Sequence, residues 1–132
     1  MSEVVEIDIN DGIAVVRLNR PEKHNALDRE SFQALADAGD EVTADERVRA
    51  VILSGNGDNF CAGIDVSMMP EMSPEFVAEG LKPRPGSPAN FFQRAAYVWR
   101  EVPVPVICAI HGVAFGGGLQ IALGADIRYA TP

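Results

Sequence analysis

Two segments of the sequence place glycine directly after an apolar run, at residues 59–65 and 110–118; we call them the first and second glycine turns. Glycine lets a backbone approach a ligand closely and leaves its amides unobstructed. A helix is predicted to begin at Gly116-Gly117-Gly118, so its free N–H groups favour an anion. The turns therefore indicate stabilisation of a bound phosphate or of an oxyanion formed during reaction, with tight strand-helix packing as the competing interpretation.

Nucleotide and serine-hydrolase motifs do not fit these turns. A P-loop requires Lys and Ser or Thr after its last glycine, but Leu119 and Gln120 follow Gly118. No G-x-G-x-x-G surrounds either turn, and no serine has glycine at both two-residue offsets. An oxyanion is therefore preferred over a phosphate as the anion.

Cysteine and histidine offer two interpretations each. Cys61 is either a nucleophile with His24 or His111 as its base or, as we favour, a small buried thiol. His111 ends an apolar strand and is expected to be a core histidine rather than a catalytic one. Two Cys and two His without paired ligand spacing predict no metal site.

Length and composition indicate one globular domain over residues 1–132. The chain carries 11 Lys and Arg against 19 Asp and Glu, for a net charge of −8, and 47% of its residues are hydrophobic. Nucleic acid and anionic membranes are not expected partners, because no basic run exists. Residues 102–125 carry no formal charge, but Pro103, Pro105 and the glycine triplet argue against a membrane span. The absence of a leader pattern and the unpaired cysteines predict a cytoplasmic protein.

The elements that position the turns alternate between strand and helix, which predicts a parallel sheet after an initial hairpin. Thr131-Pro132 directly follows the last predicted strand, so we expect a fragment or a fold completed by another chain, unstable or self-associating alone. The predicted elements are, in chain order, a hairpin over 5–18, a polar loop over 19–25, a helix capped by Asp28, a buried strand over 49–55, a helix starting at Ser73, a mobile lid or mouth loop over 82–88, a helix over 90–101, a strand over 104–110, a helix over about 119–123 and a strand over 126–130.

Four motifs in this order carry a family resemblance. They are Arg20-Pro21 with 25–27, then 60–65, then His111-Gly112 with 116–118, then 125–130. With them the sequence resembles the enoyl-CoA hydratase/isomerase, or crotonase, family. The resemblance implies a crotonase-like α/β spiral of repeated β-β-α units, of which this chain is the N-terminal half, incomplete at its C-terminus.

The resemblance also implies a site. The amides of Ile64 and Gly117 would form an oxyanion hole for the carbonyl of an acyl-CoA thioester and stabilise an enolate-like anion. Coenzyme A enters as part of the substrate and no separate cofactor is expected. Lys23 is a candidate partner for a phosphate or a surface charge, and Asp65 is a site candidate or a simple cap. The segments expected to hold CoA contain Lys23, Ala26, Leu27, Ala62, Gly63, Asp65 and Val66, and the candidates for the acyl pocket or for core packing are Met68, Phe91, Phe92 and Phe115.

One departure from the family pattern puts the reaction in doubt. Family hydratases have glutamate three residues after the oxyanion-hole glycine, where this chain has Gln120, and an amide cannot take a proton from water at neutral pH. The family's second acid/base position and the helices that assemble trimers or hexamers would lie beyond Pro132. The leading hypothesis is an acyl-CoA hydratase, isomerase or hydrolase; the alternatives are a non-catalytic acyl-CoA binder and, more weakly, a hydrolase of a related spiral fold.

Overall fold

A five-stranded sheet in the order β1-β2-β3-β4-β5 organises residues 3–132, the part of the chain that the computed structural model describes. β1 and β2 form the predicted antiparallel hairpin, and β2 to β5 run parallel, as the α/β pattern predicts. The strands are β1 (Val5–Asn10), β2 (Ile13–Leu18), β3 (Ala50–Gly55), β4 (Val106–Ile110) and β5 (Ile127–Ala130). The helices are α1 (Arg29–Ala44), α2 (Pro74–Gly80), α3 (Phe91–Glu101) and α4 (Gly117–Gly124), with 3-10 turns at Pro21–Lys23 and Val66–Glu71.

The long helices cover one face of the sheet. Asp28 begins α1 by accepting a hydrogen bond from the Ser31 amide at 2.8 Å. α1 then packs closely on α3, because a Cβ at Gly39 would lie 2.3 Å from Val98 Cγ2. Trp99 of α3 is fully buried in the same core.

Three successive units of the chain share one plan: a long strand, a short bridging segment and a helix. Leu27 bridges β2 and α1, Cys61 and Ile64 follow β3, and Ala114 lies between β4 and α4. The bridging segments pair with one another in parallel, Leu27 with Ile64 and Cys61 with Ala114. This arrangement is the repeated β-β-α unit that the resemblance implies, and it brings the two glycine turns together.

Several predicted boundaries move by one or two residues. α4 begins at Gly117 rather than near Leu119, and β4 begins at Val106, immediately after Pro105, which has no amide hydrogen to donate. In α3 the buried residues are Ala95, Val98 and Trp99, and Val102 just after its end is buried as well. All four residues of β5 are exposed, and the expected instability of the chain alone stays a prediction.

The loop predicted as a mobile lid or mouth is tied to the helices beside it. Ser87 Oγ donates to Glu101 of α3, and the Arg84 guanidinium lies 5.4 Å from the centre of the Phe91 ring. No helix between residues 3 and 132 is long and apolar enough to cross a membrane.

Candidate active site

In the first glycine turn the Ile64 amide has no hydrogen-bond partner among the described residues. Leu27 pairs across to it through two hydrogen bonds, from its own N–H to the Gly63 carbonyl at 2.7 Å and from the Asp65 N–H to its carbonyl at 2.9 Å. Because strand amides alternate in direction, the N–H of Ile64 lies on the other side, toward the segment that continues from Ala114. Within residues 3–132 it has no acceptor.

The second glycine turn supplies another free amide. Gly116 is the N-cap of α4, and Gly117 is its first residue, whose N–H has no intrahelical partner. No other acceptor for the Gly117 N–H is found in the described chain. Ile64 and Gly117 line the same open cleft of about 600 Å³, between α3 and α4. Two residues with unpartnered amides thus line one cleft, at the N-terminal and positive end of α4, which suits an oxygen anion.

The two turns fit together only because glycine occupies both. Gly63 has φ +90°, and a Cβ there would lie 2.8 Å from the Phe115 carbonyl oxygen. A Cβ at Gly118 would lie 2.5 Å from the Cys61 carbonyl oxygen. Both distances are shorter than real Cβ contacts, so larger residues would push the turns apart.

A buried asparagine joins the loop before α1 to the first glycine turn. Asn25 is 1% exposed, and its Nδ2 donates to the carbonyls of Asn56 at 2.9 Å and Asn59 at 2.8 Å. Its Oδ1 accepts from the Arg20 amide at 2.8 Å. Asn25 belongs to one of the family motifs, but its φ of +56°, which asparagine tolerates better than most residues, is not visible in the sequence.

Arg20 and Asp65 fix the end of the first glycine turn. Arg20 Nη2 lies 3.1 Å from Asp65 Oδ2, and its Nη1 donates to the Ala26 carbonyl. Asp65 Oδ1 accepts from the Ser67 amide at 2.9 Å, and this bond, with Arg20, lowers the pKa of the carboxyl below its usual value. Asp65 thus caps the following 3-10 turn, as the simple-cap interpretation predicts, and also anchors Arg20.

Cys61 is a buried thiol and not a nucleophile. Its Sγ donates to the Asn25 carbonyl at 3.1 Å, and burial raises its pKa to about 11, so the thiolate is scarce at neutral pH. His24 Nδ1 lies 3.0 Å from Asn59 Nδ2, and His111 Nε2 lies 2.7 Å from the Gly57 carbonyl oxygen. Both histidines thus hold loops, but His111 is partly exposed rather than in the core.

The other candidates divide between the cleft and its surroundings. Leu27 and Gln120 line the cleft with Ile64 and Gly117, as does Phe92 among the acyl-pocket candidates. Met68 is buried in the core, whereas Phe115 is 61% exposed and lies outside the cleft lining, as Phe91 does. Of the CoA-binding candidates Ala26 and Ala62 are partly buried, Gly63 is buried, and Lys23 and Val66 are exposed. Residues 3–132 contain no group of three or more His, Cys, Asp or Glu placed to hold a metal.

This combination of parallel bridging segments and paired glycine turns defines an α/β domain of the crotonase class. The family model for enoyl-CoA hydratase/isomerase matches residues 8–132, and the chain belongs to that family.

Characterised relatives carry different reaction names. (E)-benzylidenesuccinyl-CoA hydratase of Thauera aromatica is 37% identical over 96% of this chain and 46% of its own length. 1,2-epoxyphenylacetyl-CoA isomerase of Escherichia coli is 35% identical over 99% of this chain and 48% of its own length. The solved structure of an enoyl-CoA hydratase/carnithine racemase from Magnetospirillum magneticum superposes with a TM-score of 0.84 at 32% identity, over 98% of this chain and 47% of that one. The chain therefore spans about half the length of the relatives it matches.

Proposed function

We propose that this chain is part of an enzyme that binds an acyl-CoA thioester and stabilises an enolate-like anion of its carbonyl through the amides of Ile64 and Gly117. The observation that carries the proposal is the pair of unpartnered amides on one cleft. A donor of this kind contributes most when negative charge develops on the oxygen, and it is worth about 100- to 1,000-fold in rate. The two relatives named above are a hydratase and an isomerase, and each is named for an acyl-CoA substrate, which supports this chemistry.

Which reaction of acyl-CoA thioesters the enzyme catalyses depends on Gln120. It lies one helical turn after Gly117, lines the cleft, and its side chain has no hydrogen-bond partner within residues 3–132. An amide orients a water or a substrate but cannot remove a proton at neutral pH. Isomerisation or hydration with an acid/base from elsewhere in the protein therefore fits better than hydration by two glutamates. A non-catalytic acyl-CoA binder is the second candidate, which the same residue favours.

CoA is proposed to lie along the loop before α1 and the first glycine turn. Ala26 is half-buried and Leu27 lines the cleft, while Lys23 is exposed and its side chain has no partner in the described chain, so it is available to a phosphate. Ala62, Gly63, Asp65 and Val66 are proposed to contact CoA from the other side. The complete protein is proposed to be a cytoplasmic homotrimer or hexamer that needs no cofactor besides the CoA of its substrate.

A substrate panel tests the activity. The protein at the full length of its gene is incubated with crotonyl-CoA, longer 2-enoyl-CoA and 3-enoyl-CoA thioesters, and hydration and double-bond migration are followed spectrophotometrically. Turnover of at least one thioester is expected. Tight binding of every thioester without turnover would instead support the non-catalytic binder.

Changing Gln120 to glutamate separates the two candidates further. In an enzyme whose cleft admits water, Gln120→Glu is expected to raise 3-hydroxyacyl-CoA formation from crotonyl-CoA at neutral pH, because the carboxylate exchanges protons with the attacking water. Gln93→Glu is the matched control, since Gln93 lines the same cleft from α3 rather than α4. An unchanged rate at unchanged CoA affinity would show that Gln120 belongs to a different reaction.

A further inference from the structure

The cleft has its only formal charge at the end away from the oxyanion amides. Among the described residues that line it, Arg100 alone is charged, and the apolar lining residue Ala96 lies one turn before it in α3. Gly124 marks this end, because a Cβ there would lie 2.3 Å from the Ala96 carbonyl oxygen. Gly117 and Gly124 are the two ends of α4, which at 1.5 Å per residue places them about 10 Å apart.

Arg100 also lacks the partners that the other arginine of α3 has. Arg94 forms ion pairs with Asp40 and, at 2.7 Å, with Glu101. For the Arg100 side chain no hydrogen bond or ion pair occurs within residues 3–132, in a chain with a net charge of −8. The last turn of α3 suits a cation, which gives Arg100 a stabilising role that needs no ligand. That role does not require a place in the lining of the cleft.

Tyr97 and Gln93 share this face of α3 with Arg100. The three residues are spaced four and three apart, which puts them on one side of the helix, and all three line the cleft. The Tyr97 hydroxyl has no hydrogen-bond partner in the described residues. A guanidinium and a phenol hydroxyl are donors that suit a carboxylate, whereas a hydrocarbon end would remove the guanidinium from water without replacing its hydrogen bonds.

We propose that Arg100, assisted by Tyr97, recognises a carboxylate on the acyl group, remote from the thioester carbonyl held by Ile64 and Gly117. This inference rests on the proposed function and deepens it by naming the substrate class, a dicarboxylic acyl-CoA. An extended chain of about eight carbons spans about 10 Å, which matches the length of α4. Arg100 then acts as a specificity-determining residue and takes no part in the reaction at the carbonyl.

Two saturated thioesters test this inference without any need for turnover. Suberyl-CoA and octanoyl-CoA differ only in a terminal carboxylate against a methyl group, and their dissociation constants with the full-length protein are measured by calorimetry. The parent is expected to prefer suberyl-CoA. Arg100→Gln is expected to weaken suberyl-CoA binding about tenfold and to change octanoyl-CoA binding less than about twofold.

A second arginine serves as the matched control. Arg49 is exposed, lies just before β3 at the opposite end of the strands from the glycine turns, and its side chain has no ion pair in the described chain. Arg49→Gln is expected to change neither dissociation constant. Melting temperatures of both variants separate the helix-dipole contribution of Arg100 from its effect on binding.

Each other outcome overturns the inference. Equal loss for both thioesters in Arg100→Gln would assign the guanidinium to CoA itself, and no loss for either would leave it only a helix-stabilising role. If the parent binds both thioesters without preferring the carboxylate, the inference fails while the proposed function stands. If the parent binds neither, both fail.

Discussion

The two glycine turns deliver equivalent amides but are held in different ways. The first is fixed by polar side chains, with Asn25 bonded to the Asn59 carbonyl and Arg20 paired to Asp65. Among the described residues, the second takes side-chain hydrogen bonds only near its start, where Asn59 Oδ1 accepts from the Val113 amide at 2.8 Å and His111 Nε2 lies 2.7 Å from the Gly57 carbonyl oxygen. Gly116 at its end has no side-chain cap, and Gly118 fits against the Cys61 carbonyl because it has no Cβ. Removing one partner of a buried hydrogen bond costs about 1–3 kcal/mol, and forcing an added group into a close-packed contact costs about 1–3 kcal/mol or more.

The largest effect is expected from removing an amide directly. Gly117→Pro deletes one oxyanion donor and is expected to lower turnover of the best acyl-CoA substrate about 100- to 1,000-fold. Gly117 has no positive φ and is the first residue of α4, where proline is well tolerated. Its Cβ would meet only the end of the Leu27 side chain, at 2.9 Å, so the fold is expected to persist after a small shift of that side chain. The rate is measured under saturating substrate, and circular dichroism and the melting temperature verify the folded state.

Ile64→Ala is the control for that loss. It keeps the amide of the first glycine turn and shortens only a half-exposed side chain, so turnover is expected to fall less than about fivefold. Because charge on the oxygen develops in the transition state, the affinity of Gly117→Pro for a non-reactive acyl-CoA is expected to change far less than its rate. Parental turnover by a folded Gly117→Pro protein would show that the second glycine turn only packs.

The next effect is on stability and concerns the steric fit of the second glycine turn. Gly118→Ala is expected to reduce the free energy of unfolding by about 3 kcal/mol, because its Cβ would meet the Cys61 carbonyl oxygen at 2.5 Å. Gly116→Ala places its Cβ in open space, so its cost comes from the backbone alone. Its φ of +50° with ψ of −116° lies outside the left-handed helical region and is expected to cost alanine about 2 kcal/mol. Urea unfolding of both variants measures the difference, and equal losses would refute the steric argument.

Removing the hydrogen bonds of Asn25 at the first glycine turn is expected to lower the free energy of unfolding somewhat less. Asn25→Gly removes three side-chain hydrogen bonds while tolerating the positive φ, and a loss of about 2 kcal/mol is expected. Asn25→Ala adds backbone strain, for about 1 kcal/mol more. Urea unfolding is again the measurement. If Asn25→Ala is as stable as Asn25→Gly, the positive φ at residue 25 does not strain the alanine variant.

The fold and the two glycine turns could be predicted from the sequence, but the contacts that hold the turns could not. Strand periodicity predicted the sheet and glycine placement indicated an anion site at the turns, since both depend on local sequence, whereas the amides of Ile64 and Gly117 came from the family resemblance. The contact between Asn25 and Asn59 spans 34 residues, and the fit of Gly118 against Cys61 depends on parallel bridging segments that have no local signal. Arg100 was likewise invisible as a cleft residue, because helix periodicity shows which face is buried but not which side borders a cavity.

The smallest expected effect is the pH dependence contributed by Asp65. The folded state lowers the pKa of this carboxyl, so its contribution to stability is present above the unfolded pKa of about 3.9 and is lost as the pH falls through the folded value. Asp65→Asn is therefore expected to be less stable than the parent at about pH 7, and the difference is expected to shrink below about pH 4. Unfolding free energies at several pH values measure it.

Asp45→Asn is the comparison for that change. Asp45 lies at the C-terminal end of α1, and its hydrogen bonds with Arg47 lower its pKa to about 2. Both substitutions are expected to flatten the acid limb of the stability curve. Only Asp65→Asn is expected also to weaken acyl-CoA binding, since Asp65 and Arg20 fix the end of the first glycine turn that presents Ile64. Equal binding by the two variants would show that the ion pair stabilises the fold without positioning the amide, and would leave Asn25 as the residue that holds this turn.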